Sequence, residues 1–165
     1  MSPKTDTIVR PATSADLPRI GRLGAQLVDE HNAFDPQRFL ATKNRTPTDY
    51  AAFMSTQLGD PSIAVLVAED HGDVIGYSYA VVEGYDYMSL RGPAGVLHDL
   101  IVDPENRHRG VGRMLLNAML DQLKERGTPR VVLTTAEGNN VALALFANAG
   151  FRRTMIELTR EMDGA

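Results

Sequence analysis

Hydrophobic residues follow two kinds of spacing along this chain, and the two alternate in blocks. Short β-rich runs predict six strands, whereas apolar residues three and four positions apart predict four helices. The predicted strands cover residues 7–10, 62–69, 74–82, 95–102, 130–135 and 153–162. The first predicted helix begins at a Thr13 or Ser14 cap and fades near His31. The second runs from Thr46 to a stop at Gly59, and the third and fourth cover 110–126 and 140–148.

The order of these elements is β-α-α-β-β-β-α-β-α-β, and Asp70–Asp73 signals a hairpin between the second and third strands. Three consecutive strands followed by a strand–helix–strand crossover imply a mixed sheet with helices on both faces. We therefore predict an α/β (α+β) fold with one central sheet. No repeat, low-complexity tract or linker divides the sequence, so residues 1–165 are expected to form a single domain.

Composition narrows the classes of function. The chain has no cysteine, which excludes a disulfide framework, a Cys-ligated zinc site and a Cys nucleophile. A net charge of −4 lacks the basic excess of a general nucleic-acid binder. The N-terminus has no apolar core of a signal peptide, and no apolar run approaches membrane-spanning length. We expect a cytoplasmic protein with no membrane or nucleic-acid partner.

The fourth strand and the loop after it carry the clearest chemical signal, with the sequence VLHDLIVDPENRHRGVGR over residues 96–113. The first turn of a helix leaves backbone N–H groups unpaired and carries partial positive charge. Gly110 and Gly112 remove the Cβ atoms that would keep a ligand off that backbone. Such a site suits a pyrophosphate. Three cations surround the same opening, namely Arg107, Arg109 and Arg113.

Two glycines before a helix are also common in plain tight connections, where arginines are solvated, so this pattern alone leaves both interpretations open. The signatures G-x-G-x-x-G and G-x-x-x-x-G-K-[ST] are absent from the chain. A Rossmann or P-loop nucleotide site is therefore disfavoured.

At these residues the sequence resembles the GNAT superfamily of acetyl-CoA-dependent N-acetyltransferases. Residues 100–104 (LIVDP) match the family's apolar-x-Val-x-Pro strand end, and 107–112 (RHRGVG) match its [RQ]-x-x-G-x-[GA] loop without a gap. Residues 139–151 (NNVALALFANAGF) are similar to its later N-x-x-A-x-x-x-[YF]-x-x-x-G-F helix. Residues 7–16 are similar to its first strand and helix start, so the resemblance spans nearly the whole chain.

The resemblance implies where acetyl-CoA would bind. The fourth and fifth strands would splay apart and admit the pantetheine arm, which would pair with the backbone of Ile101 and Val102. Asn139 would reach the cofactor, cap its own helix, or do both. Phe146 stands where many relatives carry a tyrosine acid, and it would instead form part of an apolar cofactor wall. The pyrophosphate would rest on the backbone of Arg107, His108, Arg109, Gly110, Val111, Gly112 and Arg113.

The implied reaction is direct attack of a primary amine on the thioester in a ternary complex, with no metal. The candidate bases are His98 and Asp99 on the fourth strand. Because strand side chains alternate, only one of the two is expected to face a given cleft. His98 is favoured, since an imidazole exchanges protons near neutral pH. A histidine satisfied within the sheet and an aspartate acting as a structural acceptor are the alternatives.

The acceptor is expected to be a small-molecule or peptide amine. Acidic and aromatic residues in loop 83–95 suit a cationic amine, whereas basic residues in loop 32–49 suit a carboxylate. Other tyrosines could supply the acid that Phe146 lacks, and the candidates by residue type are Tyr77, Tyr79, Tyr85 and Tyr87. A non-catalytic acyl-CoA-binding module is the alternative function. Many proteins of the family that this sequence resembles form dimers through late strands, and residues 153–162 have the alternation of an edge strand. The resemblance therefore adds a homodimer to the expected assemblies.

Overall fold

The computed structural model describes residues 6–162. Five strands and four α-helices form in this range. The strands are β1 (Ile8–Pro11), β2 (Ile63–Asp70), β3 (Asp73–Glu83), β4 (Ala94–Val102) and β5 (Val131–Leu133). The helices are α1 (Leu17–Phe34), α2 (Thr46–Gln57), α3 (Val111–Glu125) and α4 (Asn140–Asn148). None of these described helices is long and apolar enough to cross a membrane.

The strands form one sheet in the order β1-β2-β3-β4-β5. The first four are antiparallel to their neighbours, and β5 is parallel to β4. The β4–β5 pairing is short and joins only Gly95–Leu97 to Val131–Leu133. Beyond Leu97, β4 continues to Val102 without β5 beside it. The predicted mixed sheet with splayed fourth and fifth strands is confirmed.

Helices cover both faces of the sheet, as the crossover predicted. Alternate residues of β2 point to opposite sides, so Leu66 packs on the α3 side and Val67 on the α1–α2 side. The α3 side is filled by apolar residues of α3 together with Phe146 of α4. The other side is filled by Ile20 and Leu23 of α1 and by Met54 of α2.

A polar cluster fixes the start of α1 against the sheet. Thr13 precedes a short 3-10 turn that leads into α1. The Thr13 backbone N–H (2.7 Å) and hydroxyl (3.1 Å) both donate hydrogen bonds to the Asp16 carboxylate. Arg10 of β1 donates to Asp16 (2.8 and 3.0 Å) and to Glu69 of β2 (2.7 Å). The hydrogen bond from Arg10 lowers the pKa of the Asp16 carboxyl to about 2, against the opposing effect of its burial.

The prediction of a sixth strand at residues 153–162 is wrong. Residues 152–162 form neither helix nor strand, and every one of them is exposed. The sequence pattern suits a strand, but a strand needs a neighbouring edge to pair its backbone groups. No backbone hydrogen bond joins residues 152–162 to β5 in the described structure.

Candidate functional site

The separation of β4 from β5 opens a wedge in the sheet. Within it, no strand among residues 6–162 pairs with the β4 backbone from His98 to Val102 on the β5 side. Exposed backbone N–H and C=O groups of this kind can pair with an extended ligand as they would with an added strand. Ile101 and Val102 lie on this stretch, as predicted, with their side chains buried on opposite faces of the sheet.

A β-bulge changes how His98 and Asp99 are presented. Tyr79 lies opposite Asp99, whereas the next residue, Ala80, lies opposite Leu97, so His98 is the extra residue in β4. The His98 ring stacks on Tyr79 with centroids 5.4 Å apart, and Asp99 accepts a hydrogen bond from the Tyr77 hydroxyl at 2.8 Å. Both tyrosines belong to the α1–α2 face.

The expectation that strand alternation lets only one of the pair face a given side was therefore wrong. An extra residue interrupts the two-residue period, so successive side chains can share a face. His98 and Asp99 both lie toward α1 and α2.

Asp99 is the centre of a buried hydrogen-bond cluster. The residue is 8% exposed, and its carboxylate accepts hydrogen bonds from the hydroxyls of Tyr50 on α2 and Tyr77 on β3. Burial raises the pKa of Asp99, and the two hydroxyl donors oppose that rise. Burial and the neighbouring carboxylate also raise the pKa of both tyrosines. Asp99 thus joins α2, β3 and β4 as a hydrogen-bond acceptor.

His98 has a different environment from its neighbour. Its side chain is 43% exposed, and Nε2 lies 3.8 Å from a carboxylate oxygen of Glu83. The Tyr79 ring beneath it is held by a hydrogen bond from its hydroxyl to Gln57 (2.9 Å). An accessible imidazole on a fixed aromatic support can exchange a proton with a ligand or with water.

The loop after β4 leads into an open helix N-terminus. A 3-10 turn over Pro104–Asn106 follows β4, and His108 adopts a left-handed conformation with φ of 61°. Gly110 precedes α3 with φ of 81°, and no side chain in the described part of the chain caps that helix start. A Cβ added to Gly112 would lie 3.7 Å from Leu145 of α4, so α4 packs beside this turn. The uncapped N–H groups suit an anionic ligand.

The three arginines around this loop have different roles. Arg107 donates to the Val102 carbonyl (2.9 Å) and pairs with Glu30 of α1. Arg109 pairs with Asp70 at the end of β2 (2.8 Å). Arg113 is exposed, and it forms no ion pair with the residues between 6 and 162. The first two thus brace the loop, and Arg113 is the one whose charge is directed to solvent.

Asn139 and Phe146 both lie at α4. The Asn139 side-chain oxygen accepts a hydrogen bond from the Ala142 N–H (3.1 Å), so the predicted capping role is confirmed. The side-chain amide donates no hydrogen bond within the described residues. Phe146 is 8% exposed and packs edge-to-face on Phe151 with centroids 5.7 Å apart.

The tyrosines considered as replacements for an acid at Phe146 lie elsewhere. Tyr77 and Tyr79 are on the opposite face of the sheet from Phe146. Tyr85 and Tyr87 are exposed in the β3–β4 connection.

Sequence reasoning missed Tyr50 and Glu30, which reach the site from α2 and α1. Each meets its partner across more than 45 positions of sequence, so no local spacing could reveal the pairing. Gly24 leaves room for Tyr50, since a Cβ there would lie 2.3 Å from its ring. A glycine within the predicted first helix is the one local feature associated with that packing.

Comparison with known proteins identifies the family. Mycothiol acetyltransferase of Thermobispora bispora is 35% identical over 103 residues, which is 60% of this chain and 33% of that protein. The chain therefore matches about a third of the length of this curated relative.

Solved structures share the fold. A mutant of the BH1408 protein from Bacillus halodurans has a TM-score of 0.80 at 23% identity, covering 93% of this chain and 99% of that one. A predicted acetyltransferase from Clostridium acetobutylicum, solved with acetyl-CoA, has a TM-score of 0.72 at 15% identity, covering 93% and 96%. The acetyltransferase (GNAT) family model matches residues 25–151, which is most of the chain, and the chain belongs to this family.

Proposed function

We propose that this chain is an N-acetyltransferase that transfers an acetyl group from acetyl-CoA to a primary amine by direct attack in a ternary complex. The observation that carries the proposal is the wedge between β4 and β5 beside the uncapped start of α3. Family membership supports it. The acetyl-CoA in the Clostridium acetobutylicum neighbour and the acetyl transfer named for the mycothiol relative support the same donor.

We propose three contacts between the described residues and acetyl-CoA. The free edge of β4 at Ile101 and Val102 offers backbone groups to the amide-bearing pantetheine arm. The start of α3 offers N–H groups, partial positive charge and a glycine surface to the pyrophosphate. We assign this second contact to the backbone of residues 107–113, with the Arg113 guanidinium beside it. The Asn139 amide is a third contact, because capping uses only its oxygen.

The residues of the β4 bulge supply the proposed chemistry. An amine must lose a proton before it can attack, because alkylamines have a pKa of about 10 in water. We propose that His98 is the base that removes this proton, directly or through a water. Its imidazole is accessible, whereas Asp99 is buried and accepts hydrogen bonds from two hydroxyls. A backbone N–H near Leu100 or Ile101 would donate to the oxygen that becomes negatively charged.

Phe146 cannot donate a proton to the departing thiolate. We propose that water does so, and that Phe146 supports the cofactor wall through its packing on Phe151. A thiol is a fairly good leaving group, with a pKa near 8.5 by analogy with cysteine, so transfer does not require a dedicated acid.

The environment of His98 favours a cationic acceptor. Glu83, at the end of β3, lies 3.8 Å from the imidazole. Arg91 pairs with both Glu83 and Asp86, so two carboxylates face one guanidinium and the cluster keeps a net negative charge. Carboxylates there would attract an ammonium group before it is deprotonated. We propose a small-molecule or peptide amine as acceptor, in a cytoplasmic enzyme whose residues 1–165 act as one domain and which assembles as a homodimer.

A non-catalytic acyl-CoA-binding module is the second candidate, and Phe146 is the observation that favours it. Free thiol released from acetyl-CoA, measured with a panel of primary amines, separates the two. The proposed enzyme releases thiol in an amine-dependent and saturable way. Tight acetyl-CoA binding with no amine-dependent release across the panel would favour the binding module instead.

A further inference from the structure

Three valines form a row across β3, β4 and β5. Val81 is the partner of Val96, and Val96 is the partner of Val132. Val81 packs against the α1–α2 core. Leu97 and the two β5 neighbours of Val132 pack with the α3 core, so strand alternation directs Val96 and Val132 to the same side as Val81. We call these three residues the valine row.

The valine row is an apolar surface that the helices leave open. Its three side chains are only partly buried. In the described part of the chain, Val96 and Val132 belong to neither apolar core. Neighbouring strands lie about 4.8 Å apart, so the row is about 10 Å across, which is enough for one aromatic ring. Apolar surface with a few polar groups beside it is typical of a small-molecule site.

The valine row adjoins the proposed base. His98 follows Val96 by two positions on β4, so the two lie about 7 Å apart at roughly 3.4 Å per residue. The His98 ring stacks on Tyr79, which belongs to the α1–α2 face. Phe53 of α2 packs edge-to-face on the same Tyr79 ring with centroids 6.2 Å apart, and it is 49% exposed. The imidazole therefore lies between apolar surface on the sheet and aromatic surface from α2.

The charges at this site favour a cation over an anion. Glu83 follows Val81 by two positions on β3 and lies 3.8 Å from the His98 imidazole. Glu83 and Asp86 share the single guanidinium of Arg91, so the cluster keeps a net negative charge. An ammonium group would be attracted to this end of the valine row, whereas a carboxylate would be repelled.

The basic residues of loop 32–49 offer little to a carboxylate on the acceptor. Two of the three already pair with carboxylates of the same chain, Arg38 with Glu157 and Arg45 with Asp49. The structure thus favours the cationic acceptor over the acidic one, and the valine row says what the rest of that acceptor should be.

We propose that the acceptor is a primary amine with an uncharged apolar body of about one ring, which lies on the valine row while the amino group meets His98. This inference rests on the proposed function and names the chemical class of the acceptor. The overall change converts an ammonium and a thioester into an amide, a thiol and one proton. His98 takes the proton from the ammonium and releases it to solvent, and the thiolate is protonated by water.

Two amines that share an aminoethyl group separate the body from the charge. Phenethylamine carries an apolar ring, and diglycolamine carries a polar chain of similar length. We expect kcat/KM for thiol release to be at least about 100-fold higher with phenethylamine, because an apolar pocket distinguishes even one methylene by about 10–200-fold. Free phenylalanine adds a carboxylate to the same ring and should react at least about tenfold less well than phenethylamine. Equal kcat/KM for phenethylamine and diglycolamine would overturn the proposal.

Variants assign the preference to the valine row. Val96→Thr keeps a β-branched side chain in the strand but adds a hydroxyl. It should raise KM for phenethylamine about tenfold and leave diglycolamine within about twofold. Ile8→Thr makes a similar change on the exposed edge strand β1 and should affect neither amine. Glu83→Gln should lower kcat/KM for both amines by a similar factor, because it removes charge at the end they share.

A binding measurement distinguishes this inference from the proposed transfer. In calorimetry, the natural chain saturated with free CoA, which cannot react, should bind phenethylamine at least about tenfold more tightly than diglycolamine. Such binding with no thiol release from acetyl-CoA would overturn the transfer and leave the acceptor surface in place. Equal binding of the two amines would overturn the acceptor surface. A change in sedimentation of Val96→Thr with the amine preference intact would also overturn it, since a second copy would then cover the row.

Discussion

At the residue scale, one extra residue in β4 gives neighbouring side chains different environments. The bulge brings His98 and Asp99 to the same face of the sheet. Asp99 is enclosed by Tyr50 and Tyr77, whereas the His98 imidazole stays accessible above Tyr79. The buried carboxylate therefore anchors the bulge, and the imidazole is left as the group that can exchange protons.

His98→Gln tests this assignment. We expect turnover to fall by about 100-fold, in the range for loss of a general base. The dissociation constant for acetyl-CoA should change little, because none of the proposed cofactor contacts involves the His98 side chain. Steady-state thiol release and calorimetric titration measure the two effects. His71→Asn removes an exposed imidazole outside the site and should alter neither quantity; a similar loss in both variants would contradict the role of His98.

Asp16 gives a prediction about pH and stability. The hydrogen bond from Arg10 holds the pKa of Asp16 at about 2 in the folded protein, below the usual value near 3.9. Its contribution to stability is therefore complete above about pH 4 and is lost as pH falls toward 2. Asp16→Asn should lower the free energy of unfolding by about 1–2 kcal/mol at pH 7 and by much less near pH 2. Urea denaturation across this range measures both, and an equal loss at both pH values would contradict the assignment.

At the scale of elements, the start of α3 combines backbone conformation with ligand access. Gly110 has positive φ, whereas Gly112 is the second residue of the helix. Gly110→Ala should cost about 1 kcal/mol of stability, since a side chain strains a left-handed residue. Gly112→Ala should leave stability nearly unchanged, because its Cβ would make ordinary contacts at 3.7 Å.

Acetyl-CoA affinity should respond differently in the same two variants. We expect Gly112→Ala to weaken binding by about tenfold through the methyl group that it places at the proposed pyrophosphate contact. Denaturation measures the effect of each variant on the free energy of unfolding, and calorimetry measures its effect on acetyl-CoA affinity. Unchanged affinity in a folded Gly112→Ala variant would argue against close approach of the ligand to this turn.

The start of α4 allows capping and binding to be separated. Asn139→Ala removes the cap and should destabilise the protein by about 1 kcal/mol. Asn139→Asp keeps the capping oxygen but loses the amide donor, so it should retain stability and weaken acetyl-CoA binding. Thermal unfolding of both variants measures the capping effect, and titration with acetyl-CoA measures the binding effect. Full affinity in Asn139→Asp would limit this residue to capping.

At the scale of the whole molecule, sequence patterns predicted elements better than contacts between them. Caps, glycine stops and apolar spacing gave the helices and the first five strands, because those signals act over a few residues. The bulge at His98 and the pairing of Tyr50 with Asp99 have no local signature, since both depend on how distant elements pack. The prediction of a strand at 153–162 was wrong, because alternation shows that a segment suits a strand but not whether the segment reaches an edge with which to pair.

Calorimetric titration of the full chain with acetyl-CoA, with ATP and NAD as competing ligands, shows directly whether the start of α3 belongs to a cofactor site. Gly112→Glu places a carboxylate at the proposed pyrophosphate contact, and Gly84→Glu makes the same change where a Cβ would meet open space. We predict saturable acetyl-CoA binding that Gly112→Glu abolishes, that Gly84→Glu preserves, and that ATP and NAD do not displace. No binding by the folded natural chain, or equal binding by both variants, would contradict an acetyl-CoA site at the start of α3.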